Sequence, residues 1–287
     1  MRCLSLLLAI ALSLGSTGKI YAALISLVLH SDGASGVSTV TSLLATGQFA
    51  SVQSHDVNGS GLPSLASLSG YDSILVYTSF APSDPVGLGN LLADYVDGGG
   101  HVVLGGYSFS APWSVAGRIM STGYSPFIPG AKGSGGTSLV AVATGDPMLQ
   151  SINLAAVQYG NAATNAKPTL DTDAMVIAVD DLGVNRLARS GSRAVVGLNF
   201  FPRGGNFNGN NAEFYRLVAN ALEPLSPPPP FLIPEPSTCA IYALGSLLAV
   251  RWRRRRRLGV AVELIAWVCS QVACFPPIGF NKACIAP

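Results

Sequence analysis

Between Leu24 and Pro230 the chain has no cysteine, although the full sequence of 287 residues contains five. Cys3 lies at the start, and Cys239, Cys269, Cys274 and Cys284 all follow the proline-rich stretch. The body is therefore without disulfides, thiolate metal sites or a cysteine nucleophile, and its core alone must hold it. Charge is scarce as well, at 11% of residues. Over residues 24–230 eight basic residues stand against thirteen acidic ones, a net of −5. An acidic body with no basic stripe excludes nucleic-acid binding. Histidine is limited to His30, His55 and His101, which leaves few candidates for imidazole chemistry.

What is abundant is small and apolar: 32 glycines, 19 prolines and 49% hydrophobic residues. That composition fits a small-residue-rich exported protein better than a cytosolic one. The first 23 residues read as a secretory signal peptide. Arg2 supplies the positive start, Leu4 to Leu14 (LSLLLAIALSL) the apolar run, and small residues follow. No cysteine stands after that run, as a lipoprotein signal would need. The secretion translocon is thus an expected partner.

Residues 24–223 read as one α/β domain. LISLVLH (Leu24–His30) is a continuous apolar run closed by Ser-Asp-Gly, the pattern of a strand buried on both faces. A helical stretch, Val37 to Thr46, ends at Gly47, and Ser51 to Val57 is a second strand. YDSILVYTS (Tyr71–Ser79) is a third. Asp84-Pro85 fits an N-cap with proline at the first helical position, opening a helix over Val86 to Val96. HVVLG (His101–Gly105) follows a glycine triplet. This alternation predicts right-handed crossovers and a flavodoxin-like, doubly wound, mostly parallel sheet with helices on both faces. Beyond it, Ser138 to Ala143, Ala174 to Val179 and Ala194 to Asn199 read as strands between turn-rich loops, and NAEFYRLVANAL (Asn211–Leu222) as a closing amphipathic helix.

The run YDSILVYTSFAPSDPVGLGNLLADYVDGGGHVVLGGYSF resembles the middle of class I glutamine amidotransferase-like domains, including the ThuA-like branch. RAVVGLNFFP with the helix after it resembles their end. In catalytic members a cysteine follows the strand that matches HVVLG, and a His-Glu pair lies near the last strand. Here those places hold Gly105-Gly106-Tyr107-Ser108 and Asn199-Phe200-Phe201-Pro202. Without a thiolate and its base, glutamine hydrolysis is not expected.

A serine substitute is the enzymatic alternative. Gly106-Tyr107-Ser108-Phe109-Ser110 nearly matches the G-x-S-x-G nucleophile elbow, with Ser110 in the last glycine position. Parallel strands bring their C-terminal ends together, so Ser108, His30 and Asp32 form the one triad the sequence offers, against the plainer reading of a polar rim. A glycan- or small-ligand-binding module at that sheet edge is a third reading. The turn Ser31 to Gly36 suggests anion binding or an ordinary strand-to-helix turn. Asp171-Thr172-Asp173 and Asp180-Asp181 suggest calcium or, more simply, solvated turns. Asn58-Gly59-Ser60 is a sequon, and the loop Gly204 to Asn211 a flexible surface loop. No motif calls for a cofactor or a metal ion.

Residues 224–233 form a stiff proline-rich spacer. After it come Pro234-Glu235-Pro236, the apolar run Cys239 to Val250, and the charges Arg251, Arg253, Arg254, Arg255, Arg256 and Arg257. Arginines after an apolar run act as a stop-transfer block on the cytoplasmic side. The order of residues 234–257 is similar to the PEP-CTERM sorting signal of Gram-negative bacteria. That resemblance implies recognition by an exosortase near Pro-Glu-Pro, transient residence in the inner membrane and release to the cell surface or medium, with an association to exopolysaccharide or biofilm. Two features depart from the pattern. The apolar run is shorter than the about 20 residues a spanning helix needs, and residues 258–287 continue past the arginines as a tail of unknown status.

Overall fold

Leu24–His30 forms strand β1, with a parallel neighbour on each side, and it is buried from Ser26 onward because helices cover both faces. In this computed structural model the described residues are 24–33, 35–133, 135–159, 164–165, 168–191, 194–203 and 209–224. The order continues with α1 (Ser35–Leu44), β2 (Phe49–Asp56), the short α2 (Leu65–Leu68), β3 (Ser73–Thr78), α3 (Pro85–Asp97) and β4 (His101–Gly106). Then come β5 (Leu139–Ala141), β6 (Ala174–Asp180), β7 (Asn185–Ser190), β8 (Val195–Leu198) and α4 (Ala212–Leu222).

These eight strands make one sheet in the order β2-β1-β3-β4-β8-β7-β6-β5. The first five run parallel. Its two faces carry separate cores. Val28, Tyr77 and Val103 pack with Leu43 of α1 and Phe214, Leu217 and Val218 of α4. Leu27, Leu29, Val76 and Leu104 pack with Leu88 and Leu92 of α3. Alternate side chains of each strand thus feed opposite layers, as the pleat requires. The helix starts follow the sequence signals: Asp84 accepts from the Gly87 amide with Pro85 in the first turn, and Asn211 accepts from the Phe214 amide.

The expected mostly parallel sheet is present, and it carries an antiparallel extension at one end. Beyond β8 the sheet turns antiparallel through β7, β6 and β5. The short connection from Asp180 to Asn185 has no room for a crossover, so those strands must pair as a hairpin. Strand β7 (NRLARS) went unread because two arginines and an asparagine break its apolar pattern. The expected C-terminal membrane segment, the signal peptide, the spacer, Pro234-Glu235-Pro236 and the arginines lie outside the described residues. Among the described residues no helix is long and apolar enough to cross a membrane.

Candidate functional site

The strand order reverses at β1 and β3: β2 lies to one side of β1, while β3 and β4 lie to the other. Crevices outside the carboxyl ends of strands at such a point are where open α/β sheets bind ligands. Three segments end there in neighbouring register: His30 opposite Tyr77, and Tyr77 opposite Gly105. Phe200 and Phe201, after β8, close the fourth side, and the Gly106 amide donates to the Phe200 carbonyl.

The turn after β4 carries the stretch Gly106–Ser110 that nearly matches a nucleophile elbow. Its apex is Gly106, with φ 61° and ψ −135°, a conformation essentially reserved for glycine. A Cβ there would meet Phe201 Cδ2 at 2.7 Å and Tyr77 Cβ at 3.4 Å. The space a nucleophilic side chain would use is thus occupied by the Phe201 ring, itself edge-on to Tyr77 at 5.6 Å.

Ser108 lies two residues further on, in a single turn of 3-10 helix, and it is fully buried. Its hydroxyl points to the Val76 carbonyl at 3.5 Å. No hydrogen bond joins it to His30 among the described residues. Among those residues His30 Nδ1 and both Asp32 carboxylate oxygens have no hydrogen-bond partner either, so the second link of a triad is missing too. The structure brings His30 and Asp32 to one edge and leaves Ser108 packed beneath the turn.

His30 is buried and stacks on Tyr77 at 6.0 Å. Burial lowers its pKa, and the carboxylates of Asp56 and Asp32 oppose that more weakly; it is a neutral imidazole at pH 7. Gly36 is required beside it, since a Cβ there would stand 2.2 Å from His30 Nε2. The Tyr77 hydroxyl meets Ser35 Oγ and Thr39 Oγ1, each at 3.0 Å. Burial pushes its pKa up to about 12, which makes it a structural hydroxyl rather than a base. Ser31 ties the two strand ends together: its hydroxyl donates to the Phe80 carbonyl at 2.7 Å and accepts from the Ser79 and Phe80 amides. Asp32 faces Arg203, whose Nε lies 3.6 Å from Oδ2. That acidic side chain at the start of α1 disfavours the anion site suggested for Ser31 to Gly36. Tyr77, Ser79 and Arg203 were not singled out by sequence, because none sits in a recognisable motif.

The remaining candidates have structural duties. Asp180 is no solvated turn. It is buried, accepts from the Gly136, Leu182 and Val184 amides, and pairs with buried Arg186 at 2.9 Å. Asp171 accepts from the Gly123 and Thr172 amides, and Asp181 from those of Thr137 and Ser138. No cluster of three or more metal-ligating side chains occurs among the described residues. Asn58 donates to the Ser31 and Ala81 carbonyls, so its amide nitrogen is already engaged. His101 is buried at the opposite end of its strand, bonded to the Ala221 carbonyl. His55 Nε2 bonds the Gly61 carbonyl. Residues 204–208 of the glycine-asparagine loop lie outside the described residues.

No protein-family model matches the chain. No curated protein matches it either. Similar solved structures include a ThuA-like protein from Bacteroides uniformis, at 12% identity over 72% of this chain and 94% of that one, with a TM-score of 0.49. A GMP synthase protein from Thermoplasma acidophilum matches at 10% identity over 70% and 96%, TM-score 0.42. A glutamine amidotransferase from Thermotoga maritima matches at 12% over 63% and 76%, TM-score 0.41. What the chain does is decided by its own site residues.

Proposed function

We propose that the chain is an exported protein whose α/β body, of glutamine amidotransferase-like form, is non-catalytic, and whose residues 234–257 are a sorting signal read by an exosortase. One observation supports the non-catalytic body: Gly106 stands at the turn after β4, and Phe201 fills the space its side chain would need. Amidotransfer requires a thiolate there and a base beside it, and neither residue type occupies the sheet edge in that role. The sorting reading rests on residue order: signal peptide, body, proline spacer, Pro234-Glu235-Pro236, apolar run and arginines. In this reading the translocon moves the body across the inner membrane, the arginines hold the tail, and cleavage near Pro-Glu-Pro releases it to the cell surface, with exopolysaccharide as its surroundings.

The test is the intact mass of the protein recovered separately from membrane and medium of the native host. A released species ending close to Pro234–Pro236, with the arginines gone, supports exosortase processing. A released species that retains the arginines, or a chain found only in the membrane with its C-terminus intact, overturns it.

A further inference from the structure

Burying a polar atom without a partner costs about 1–3 kcal/mol, so such atoms point to something the folded chain is built to meet. Six buried side-chain atoms lack a hydrogen-bond partner among the described residues: His30 Nδ1, Asp32 Oδ1 and Oδ2, Thr78 Oγ1, Ser79 Oγ and His101 Nδ1. They are not scattered. His101 lies at the far end of its strand, and Thr78 takes the face alternate to Tyr77. The other four belong to three residues at the carboxyl ends of β1 and β3, the two strands that flank the topological switch point. Ser31 holds those ends together through its contacts with Ser79 and Phe80.

We infer that the β1/β3 edge is a binding site for a small neutral polyhydroxy compound, in which two adjacent hydroxyls donate to Asp32 while His30 and Ser79 bond their oxygens or a neighbouring hydroxyl. The chemistry of the atoms selects this class. Both Asp32 oxygens accept only, so the ligand must bring hydrogen donors. An anion is repelled by Asp32. A cation is not needed, because the Arg203 guanidinium at 3.6 Å already balances the carboxylate's charge without hydrogen-bonding either oxygen. His30 adds no charge while burial keeps it neutral. An apolar ligand would leave all four atoms unmet. Paired hydroxyls supply two donors at the spacing of one carboxylate, and each hydroxyl oxygen remains an acceptor for Ser79. The frame is rigid. Tyr77, Ser35 and Thr39 are locked by mutual hydrogen bonds, and Gly36 leaves no slack beside His30.

The inference is independent of sorting, since the mass of the mature protein reads the one and a titration reads the other. Calorimetric titration of the purified full-length chain with myo-inositol and with methyl α-D-glucopyranoside tests it, with methylammonium and inorganic phosphate as charged comparisons. Saturable binding of at least one polyol is expected, weakened about ten- to a hundred-fold by Asp32→Asn, with neither ion competing. The unliganded variant should melt close to the parent, because the carboxylate it removes makes no hydrogen bond and only a 3.6 Å ion pair with a partly exposed Arg203. No polyol binding, equal binding by the Asp32→Asn chain, or competition by methylammonium overturns the inference. So does a large fall in the variant's melting temperature, which marks Asp32 as purely structural. If Asp32→Asn fails to fold, His30→Gln is read in its place by the same criteria.

Discussion

Arg186 and Asp180, both with fully buried side chains, form an ion pair at 2.9 Å across the hairpin of β6 and β7. The guanidinium also donates to the carbonyls of Asn199 and Gly136 and lies 5.4 Å and 5.6 Å from the ring centres of Tyr159 and Phe200. One side chain therefore joins the antiparallel extension, the loop before β5 and the segment after β8. The two rings beside it belong to the same core as α4.

Removing one partner of a buried pair strands the other charge, which costs about 3–5 kcal/mol. Arg186→Ala should therefore lower the urea midpoint by an amount equal to a large part of the total stability. Asp180→Asn strands the Arg186 charge in turn and sets an NH2 group against donors that now meet an oxygen, so it should cost a comparable amount. Denaturant unfolding of the two variants checks this, and a small loss in either would show that the pair is not the source.

Gly106→Cys puts a thiol at the apex of the turn, in a place that cannot hold it. Leaving glycine at φ 61° costs about 1–3 kcal/mol, and the contact with Phe201 adds to it. The variant should melt lower and release no ammonia from glutamine. Glutaminase activity in the variant would mean that His30 reaches the new thiol as its base.

His101 makes stability depend on pH. Burial lowers its pKa, and the bond to the Ala221 carbonyl opposes that more weakly. The accepting carbonyl fixes the proton on Nε2 and leaves Nδ1 bare. The unfolded chain, with an ordinary histidine near 6.5, takes up a proton before the folded one does. Stability is thus complete above about pH 6.5 and declines as the pH falls below it. His30 is shifted the same way and adds to the slope. Melting temperatures between pH 8 and pH 5 should show the decline, and His101→Asn should flatten it.

Asn211 caps α4 and staples it to the preceding loop. Its Oδ1 accepts from the Phe214 and Gln158 amides, and its Nδ2 donates to the Ala156 carbonyl. Asn211→Ala should cost about 1–2 kcal/mol, and Asn211→Asp, which keeps the acceptor, less. Thermal melting distinguishes the two.

The first half of the fold was legible because each element announces itself locally. LISLVLH and SILVYT are apolar on both faces, as only a central parallel strand can be, and Asp84-Pro85 marks a helix start by capping chemistry. The hairpin beyond β8 was less legible. Arg186 reads as a surface charge until Asp180, Asn199 and two aromatic rings are brought round it, and none of these lies beside it in the chain.

Composition and order by themselves determined the absence of thiol chemistry in the body, the acidic balance, the parallel half-sheet and the order of apolar runs, Pro-Glu-Pro and arginines toward the two ends. Those follow from residue identity and short spacing, which need no folding to be read. Only the tertiary structure decided that Gly106 is the apex of the turn, that Phe201 from a segment nearly a hundred residues away fills the space above it, and that Ser108 is packed out of reach. It alone put Ser79 beside the edge that holds His30 and Asp32 and showed which of their atoms are unmet. Crossovers join strand ends that are distant in sequence, so which side chains share an edge, and which polar atoms remain without partners, is set by strand order and register.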